Sequence, residues 1–242
     1  MSLSVIIPCK NEEKNILLTI NKLKKILLKN KIDYEIILIN DFSTDKTLNV
    51  IKKISKKNGK IKIFNNKISG LGGAINTGIR NASKIFSVIF MADLSDSPKD
   101  IIRYYLNIKN KNIDAVFGTR FSSKSKINNY PFSKLILNRL FNYLTKLLFL
   151  SDYNDFTNAF KMYKTNVLQK IKPIVSENFN IFLELPLKVI SRNYKYKIIS
   201  INWNNRKYGN TNFKIKELGS KYLFTLLYCF LEKVLLNNKK QK

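Results

Sequence analysis

The sequence predicts one doubly wound α/β domain on a mostly parallel sheet, followed by an amphipathic C-terminal helix. Three observations carry this. Short runs rich in Ile and Val recur through the first half, and stretches of helical period separate them. At 242 residues and 45% apolar content, the chain is also the right size to bury a single core.

The strands are predicted at Leu3–Ile7, Tyr34–Ile39, Ile61–Phe64, Phe86–Phe90 and Ile113–Phe117, each too short for a helix. Between the first two, Glu12–Lys29 places Ile16, Leu17, Ile20, Leu23, Ile26 and Leu27 on one face. Thr44–Ser55, Gly72–Ser83 and Pro98–Ile108 supply the next helices, and strand–helix alternation at this spacing gives parallel pairing. The second half is less regular. Phe132–Leu150 is amphipathic, Phe179–Ile190 reads as a helix that Pro186 should kink, and Lys195–Asn202 reads as a strand. Ile215–Leu236 forms the tail, with many apolar residues and lysines at its edges. Its longest charge-free run, Tyr222–Leu231, is half of the roughly 20 residues that span a bilayer. With no repeat and no linker, the chain divides into a domain at 1–213 and a basic helical tail at 214–242.

Composition excludes several chemistries. There is no histidine, so imidazole metal sites and Ser-His or Cys-His catalysis are out, leaving carboxylates, Lys, Arg, hydroxyls or a hard cation. Cys9 and Cys229 lack metal-ligand spacing and read as thiols of a reducing cytosol, and no signal peptide precedes the first strand. The net charge of +28 invites an anionic membrane or nucleic acid, although a Lys-, Asn- and Ile-crowded composition accounts for part of it. The lysines are spread along the chain without a nucleic-acid motif or clustered stacking aromatics, so nucleic acid is not an expected partner. Only six of the 44 basic residues are arginines, at 80, 103, 120, 139, 192 and 206. Against that background each is a candidate for bidentate phosphate binding.

Ligands of such sheets bind beyond the carboxyl ends of the strands. Three loops there carry acidic or polar groups: Pro8–Glu13, Asn40–Asp45 and Met91–Pro98. The carboxylates of the first can favour a helix N-terminus. Asp41 in the second can accept hydrogen bonds from a base or ribose, while Ser43, Thr44 or Asp45 caps the next helix. The third, with Asp93, Ser95 and Asp96, suits Mg²⁺ or Mn²⁺, which take oxygen ligands and bridge to phosphates.

In this order the residues resemble the family 2 glycosyltransferases, in their dolichyl-phosphate mannosyltransferase-like (polyprenyl-phosphate glycosyltransferase) branch. Ser4–Pro8 through Glu13 is similar to that family's opening strand and nucleotide turn, and Asn40–Thr47 to its Asp-Asp-Gly-Ser-Thr-Asp-Gly-Thr motif. Gly70–Ala74 with Asn76–Gly78 resembles its glycine-rich segment, and Gly118–Arg120 its Gly-Ser-Arg. Asp155–Lys161 resembles its Asp-x-x-Ser-Gly-Phe-Arg, and Arg206–Gly209 its Arg-x-x-Gly. The likeness runs from about residue 3 to 213 and departs in two places. Met91 stands where the metal-loop Asp-x-Asp has its first Asp, and Asn212 where a Lys often follows Arg-x-x-Gly.

The resemblance implies a GT-A (Rossmann-like) catalytic domain and an inverting transfer from a nucleotide-diphosphate sugar (GDP-mannose or a UDP-hexose) to a polyprenyl phosphate. It implies a donor site at Pro8, Lys10, Glu12, Asp41, Gly72 and Asp93, and Mg²⁺ or Mn²⁺ on Asp93 and Ser95. Asp93, Arg120, Asp155 and Arg206 become the catalytic candidates, and Arg120, Arg139 and Arg206 the groups for the acceptor phosphate. A lipid phosphate is already an anionic nucleophile, which suits a chain without histidine; a sugar hydroxyl would need a carboxylate base, with Asp155 first and Glu184 second. Assembly of a surface polysaccharide or lipid-linked glycan, or nucleotide-sugar binding with impaired catalysis, are the alternatives. The helix at 132–150 and the tail suit a peripheral position on the inner, cytoplasmic face of a membrane, aided by about 1 kcal/mol per basic residue at an anionic surface.

Overall fold

A computed structural model describes residues 2–110, 112–204 and 215–238. Arg206, Gly209, Asn212 and Lys214 lie outside the described residues.

Seven strands form one sheet. In chain order they are β1 (Ser2–Cys9), β2 (Asp33–Asn40), β3 (Ile61–Asn65), β4 (Phe86–Ile89), β5 (Ala115–Thr119), β7 (Lys161–Lys164) and β8 (Tyr196–Ser200). They lie in the spatial order β3-β2-β1-β4-β7-β5-β8. Every pairing is parallel except the two made by β7, which runs antiparallel to both β4 and β5. A two-stranded ribbon, β6 (Ile127–Asn128) with β9 (Trp203–Asn204), lies outside the sheet.

Eight helices occur among the described residues. The first four are α1 (Ile16–Lys29), α2 (Thr47–Lys56), α3 (Leu71–Asn81) and α4 (Pro98–Ile108). The others are α5 (Phe132–Phe149), α6 (Thr165–Lys170), α7 (Ile181–Ser191) and α8 (Ile215–Asn238). Successive strand residues face opposite sides of a sheet, so β1 divides its side chains between two cores. Leu3, Val5 and Ile7 pack with α1, α2 and α4, whereas Ile6 joins the core built with α3, α6, α7 and α8. Burial on both faces explains why these strands read as continuous apolar runs.

The five strands and four helices predicted for the first half are present with shifted ends. Helix α1 starts at Ile16 rather than Glu12, because residues 11–15 form a turn in which Asn11 takes φ 56° and Ile16 N donates to Glu12 O at 2.9 Å. Helix α2 starts at Thr47, where the Asp45 carboxylate accepts the Thr47 N–H at 2.9 Å. Strand β7 and helix α6 were not predicted. β7 reads Lys-Met-Tyr-Lys, too polar at its ends to signal a central strand, yet Lys161, Met162 and Tyr163 are buried between β4 and β5.

The α7 helix runs through Pro186. Proline cannot donate to the carbonyl four residues back. That carbonyl, Phe182 O, instead accepts the buried Lys161 ammonium at 3.2 Å, and Phe156 O and Asn158 O accept it as well. Burial drives the Lys161 pKa down to about 7. The tail helix α8 is apolar on two sides. Tyr222, Leu226 and Cys229 enter the core beside α7, while Leu223, Phe224, Leu227, Leu231 and Leu235 are exposed.

Candidate active site

Parallel pairing brings the ends of β1, β2 and β3 to one edge, with Cys9 opposite Asn40 and Asn40 opposite Asn65. The loops beyond them are stitched together by side chains. Thr47 Oγ1 accepts the Glu12 N–H at 2.7 Å, Asn11 Oδ1 accepts the Thr44 N–H at 2.8 Å, and Glu13 Oε2 accepts the Lys46 N–H at 2.9 Å. Glu13 is thus a strut between the two loops. Glu12 accepts Asn15 Nδ2 at 2.8 Å, Pro8 is buried in β1, and Lys10 is exposed at the rim.

Asp41 is buried at the bottom of this edge. Its Oδ1 accepts Asn66 Nδ2 at 2.7 Å and the Gly70 N–H at 3.0 Å, and Asn66 also donates to Gly70 O at 3.1 Å. Asn66 was not picked out by the sequence reading; its signal was its place directly after β3 at the same edge. The glycines that follow serve close packing. Gly70 has φ +126°, and a Cβ there would lie 2.4 Å from Glu177 O. A Cβ on Gly72 would lie 2.1 Å from Ser176 O, and the Gly72 N–H donates to Glu177 O at 2.8 Å.

Beyond β4, Ala92 O accepts Thr19 Oγ1 at 2.6 Å, which ties the third loop to α1. Asp93 Oδ1 accepts the Ser95 N–H at 3.0 Å, closing a small turn in which Leu94 takes φ 56°. Ser95 O accepts the Asn204 N–H at 3.2 Å and Asp96 bridges to Trp203, so β9 covers this loop. Asp96 is 3% exposed, and its Oδ1 has no hydrogen-bond partner among the described residues. Burial, and then the charge of Asp93, raise its pKa to about 7, against a smaller lowering by Arg120.

Beyond β5, Arg120 and Asp155 form a buried ion pair. The Arg120 N–H and Nε donate to Asp155 Oδ2, both at 2.9 Å, and Nη2 donates to Oδ1 at 2.7 Å. Asp155 is 0% exposed and Arg120 7%. Burial alone would depress the Arg120 pKa, but Asp155 outweighs it and drives the value up. The rings of Phe121, Tyr130 and Trp203 surround the guanidinium at 5.4, 5.7 and 6.0 Å. Arg139, on α5, stacks 4.3 Å from the Phe121 ring and donates to Asn154 O at 2.9 Å. The structure therefore assembles Arg120, Asp155 and Arg139 in one cluster, and Pro8, Lys10, Glu12 and Asp41 along another stretch of the same edge. The bidentate fork of Arg120 is engaged by Asp155, which leaves Arg139 the more open of the two arginines. The aromatic trio is a feature the sequence reading missed, because Tyr130 and Trp203 are far apart in the chain.

The family model for glycosyl transferase family 2 matches residues 4–172, most of the chain. The chain belongs to glycosyl transferase family 2. This family 2 chain is 30% identical over 230 residues to protein MJ1222 of Methanocaldococcus jannaschii, covering 92% of this chain and 90% of the relative. It is 28% identical to the dolichol-phosphate mannosyltransferase of Pyrococcus furiosus over 78% of its own length, and spans about half (53%) of that relative. In fold it matches glucosyl-3-phosphoglycerate synthase from Mycobacterium tuberculosis in complex with UDP, with TM-score 0.70 and 17% identity, covering 95% of this chain and 80% of that one. The same enzyme in complex with Mn²⁺, UDP and phosphoglyceric acid matches with TM-score 0.70 and 18% identity, over 95% of this chain and 78% of that one. This family 2 glycosyltransferase has Asp93 on the loop after β4, and Met91, a soft thioether that is a poor ligand for hard cations, stands two residues before it, where the resemblance led one to expect a carboxylate.

Proposed function

We propose that this glycosyltransferase moves a sugar, with inversion, from a nucleoside-diphosphate sugar to a polyprenyl phosphate at a membrane surface. One observation carries the acceptor: the helix that brings Arg139 to the site is apolar on its outer side. Ile136, Leu137, Leu140, Tyr143, Leu144 and Leu147 of α5 are exposed, and the exposed leucines of α8 lie beside them where Phe141 meets Tyr222 and Phe149 meets Phe230. Exposed apolar area on this scale marks a protein or membrane contact. With a net charge of +28, an anionic bilayer is the contact it suits. No helix among the described residues is long and apolar enough to cross a membrane, so the contact would be peripheral.

In the reaction a phosphate oxygen of the acceptor attacks the anomeric carbon as the bond to the nucleoside diphosphate breaks. The nucleophile is anionic already, so no protein base is needed, and Asp155, locked to Arg120, serves as a strut. Arg139 positions the acceptor phosphate, Arg206 is proposed to join it, and Asp41, Glu12, Lys10 and Pro8 hold the nucleoside end. Mg²⁺ or Mn²⁺, when bound, would stabilise charge on the leaving diphosphate. The donors present suit such a hard cation, since Asp93 offers a carboxylate and the buried Asp96 Oδ1 has no hydrogen-bond partner among the described residues.

The test is to incubate the protein with GDP-mannose or UDP-glucose and a short polyprenyl phosphate in anionic vesicles, with and without Mn²⁺. Mass spectrometry should show a glycolipid, and the protein should float with the vesicles. Changing Leu137, Leu140 and Leu144 to Glu should abolish flotation while nucleotide binding persists. Transfer to phosphoglycerate with no glycolipid product would replace the lipid acceptor.

A further inference from the structure

We propose that Asn142 is a positioning residue for sugar transfer: from the inner side of α5 it holds the loop that carries Asp155, and so fixes where Arg139 stands. The inference rests on the acceptor reading above and names what sets the geometry of that site. Among the described residues of α5 only Asn142, Thr145 and Phe149 are buried, and two of these are polar. Apolar packing therefore does little to fix the rotation and height of this helix, and hydrogen bonds must do so. Asn142 is 0% exposed, and an amide so deep is kept where its donors and acceptor find partners. Its Oδ1 accepts the Phe156 N–H at 2.6 Å, and its Nδ2 donates to Asn138 O at 2.8 Å and Asn138 Oδ1 at 2.9 Å.

Asn142 does not act alone. It lies four positions after Asn138 and three after Arg139, so the three share one side of the helix. All three grip the same loop: Asn138 Nδ2 donates to Thr157 Oγ1 at 2.7 Å, Arg139 Nη1 donates to Asn154 O at 2.9 Å, and Asn142 holds Phe156. The loop is fastened in turn to the end of β5. Thr119 Oγ1 donates to Asn154 Oδ1 at 2.6 Å, Asn154 Nδ2 to Phe121 O at 3.1 Å and Asn158 Nδ2 to Gly118 O at 3.0 Å. Asp155, between the gripped residues, is the one that pairs with Arg120. Arg139 spends Nη1 on Asn154, while Nε and Nη2 donate to no group among the described residues. That leaves a two-donor edge suited to a phosphate, aimed by the clamp.

A displacement of about 1 Å can cost about a hundredfold in rate. The experiment measures transfer from GDP-mannose or UDP-glucose to a polyprenyl phosphate in anionic vesicles by the full chain, with initial rates taken against donor and acceptor separately. Asn142→Leu removes both halves of the amide and should raise the acceptor KM at least about tenfold, leaving the donor KM and vesicle flotation as in wild type. Thr157→Val removes the hydroxyl that Asn138 grips and should shift the acceptor KM in the same direction, which keeps the test open if Asn142→Leu does not fold. In an Arg139→Ala background the Asn142→Leu effect should largely vanish, because the two act through one group. A purely structural Asn142 would lower the melting temperature and the active fraction while leaving both KM values alone. An unchanged acceptor KM in the folded variants, or losses from Asn142→Leu and Arg139→Ala that simply multiply, overturns the inference and leaves the acceptor reading standing. If wild type itself forms no glycolipid, the acceptor reading has failed and this inference falls with it.

Discussion

Replacing Asp155 with Asn tests whether the carboxylate is a strut or a catalyst. The side chain is fully buried and accepts three hydrogen bonds from Arg120, at 2.9, 2.9 and 2.7 Å. An Asn keeps the shape but removes the charge, leaving a guanidinium that is 7% exposed without its counter-ion. Breaking a buried pair from one side costs about 3–5 kcal/mol. In a domain of this size each kcal/mol lowers the melting temperature by about 2–4 °C, so the variant should melt roughly 6–20 °C below wild type. Pairing the change with Arg120→Met should recover most of the loss, because the uncompensated charge is then gone. Calorimetric melts of wild type, both single variants and the double variant close the cycle. An Asn variant that melts with wild type yet no longer transfers sugar would refute the structural assignment and return Asp155 to the chemistry.

Two further outcomes follow from the same site. Asp96 has an ordinary carboxyl pKa of 3.8 when unfolded and about 7 when folded. Between those values the native chain holds a proton that the unfolded chain has released, so stability falls as pH rises from about 4 to 7. Asn mimics the protonated form, so without divalent cations the stabilisation by Asp96→Asn should be larger at pH 8 than at pH 5, by about 2–3 kcal/mol; equal gains at both pH values would show that Asp96 ionises in the fold as readily as in the unfolded chain. Gly72→Ala places a methyl 2.1 Å from Ser176 O and should destabilise by about 1–3 kcal/mol in urea melts. A variant of unchanged stability that no longer binds nucleotide would assign Gly72 to the substrate instead.

The alternation of Ile- and Val-rich runs with helical periods determined the parallel sheet, its flanking helices and the edge where the loops meet. This follows because burial on both faces writes itself into the strands as unbroken apolar residues. The family's motifs also survive as residue order, so Asp41, Asp93, Arg120 and Asp155 were legible as a set. Which of them face a ligand was not legible. Arg120 and Asp155 are 35 residues apart, and the fold brings the segment before β7 against the end of β5, where the two charges meet. Strand β7 itself was hidden because a central strand ending in two lysines makes sense only once Lys161 is seen among three carbonyls, one of them left open by Pro186. Asp96 looked like one more polar loop residue until β9, from a distant part of the chain, buried it. Sequence periodicity records which side of an element meets the core; whether a charge inside that core has a partner depends on residues far along the chain, and only tertiary packing brings those together.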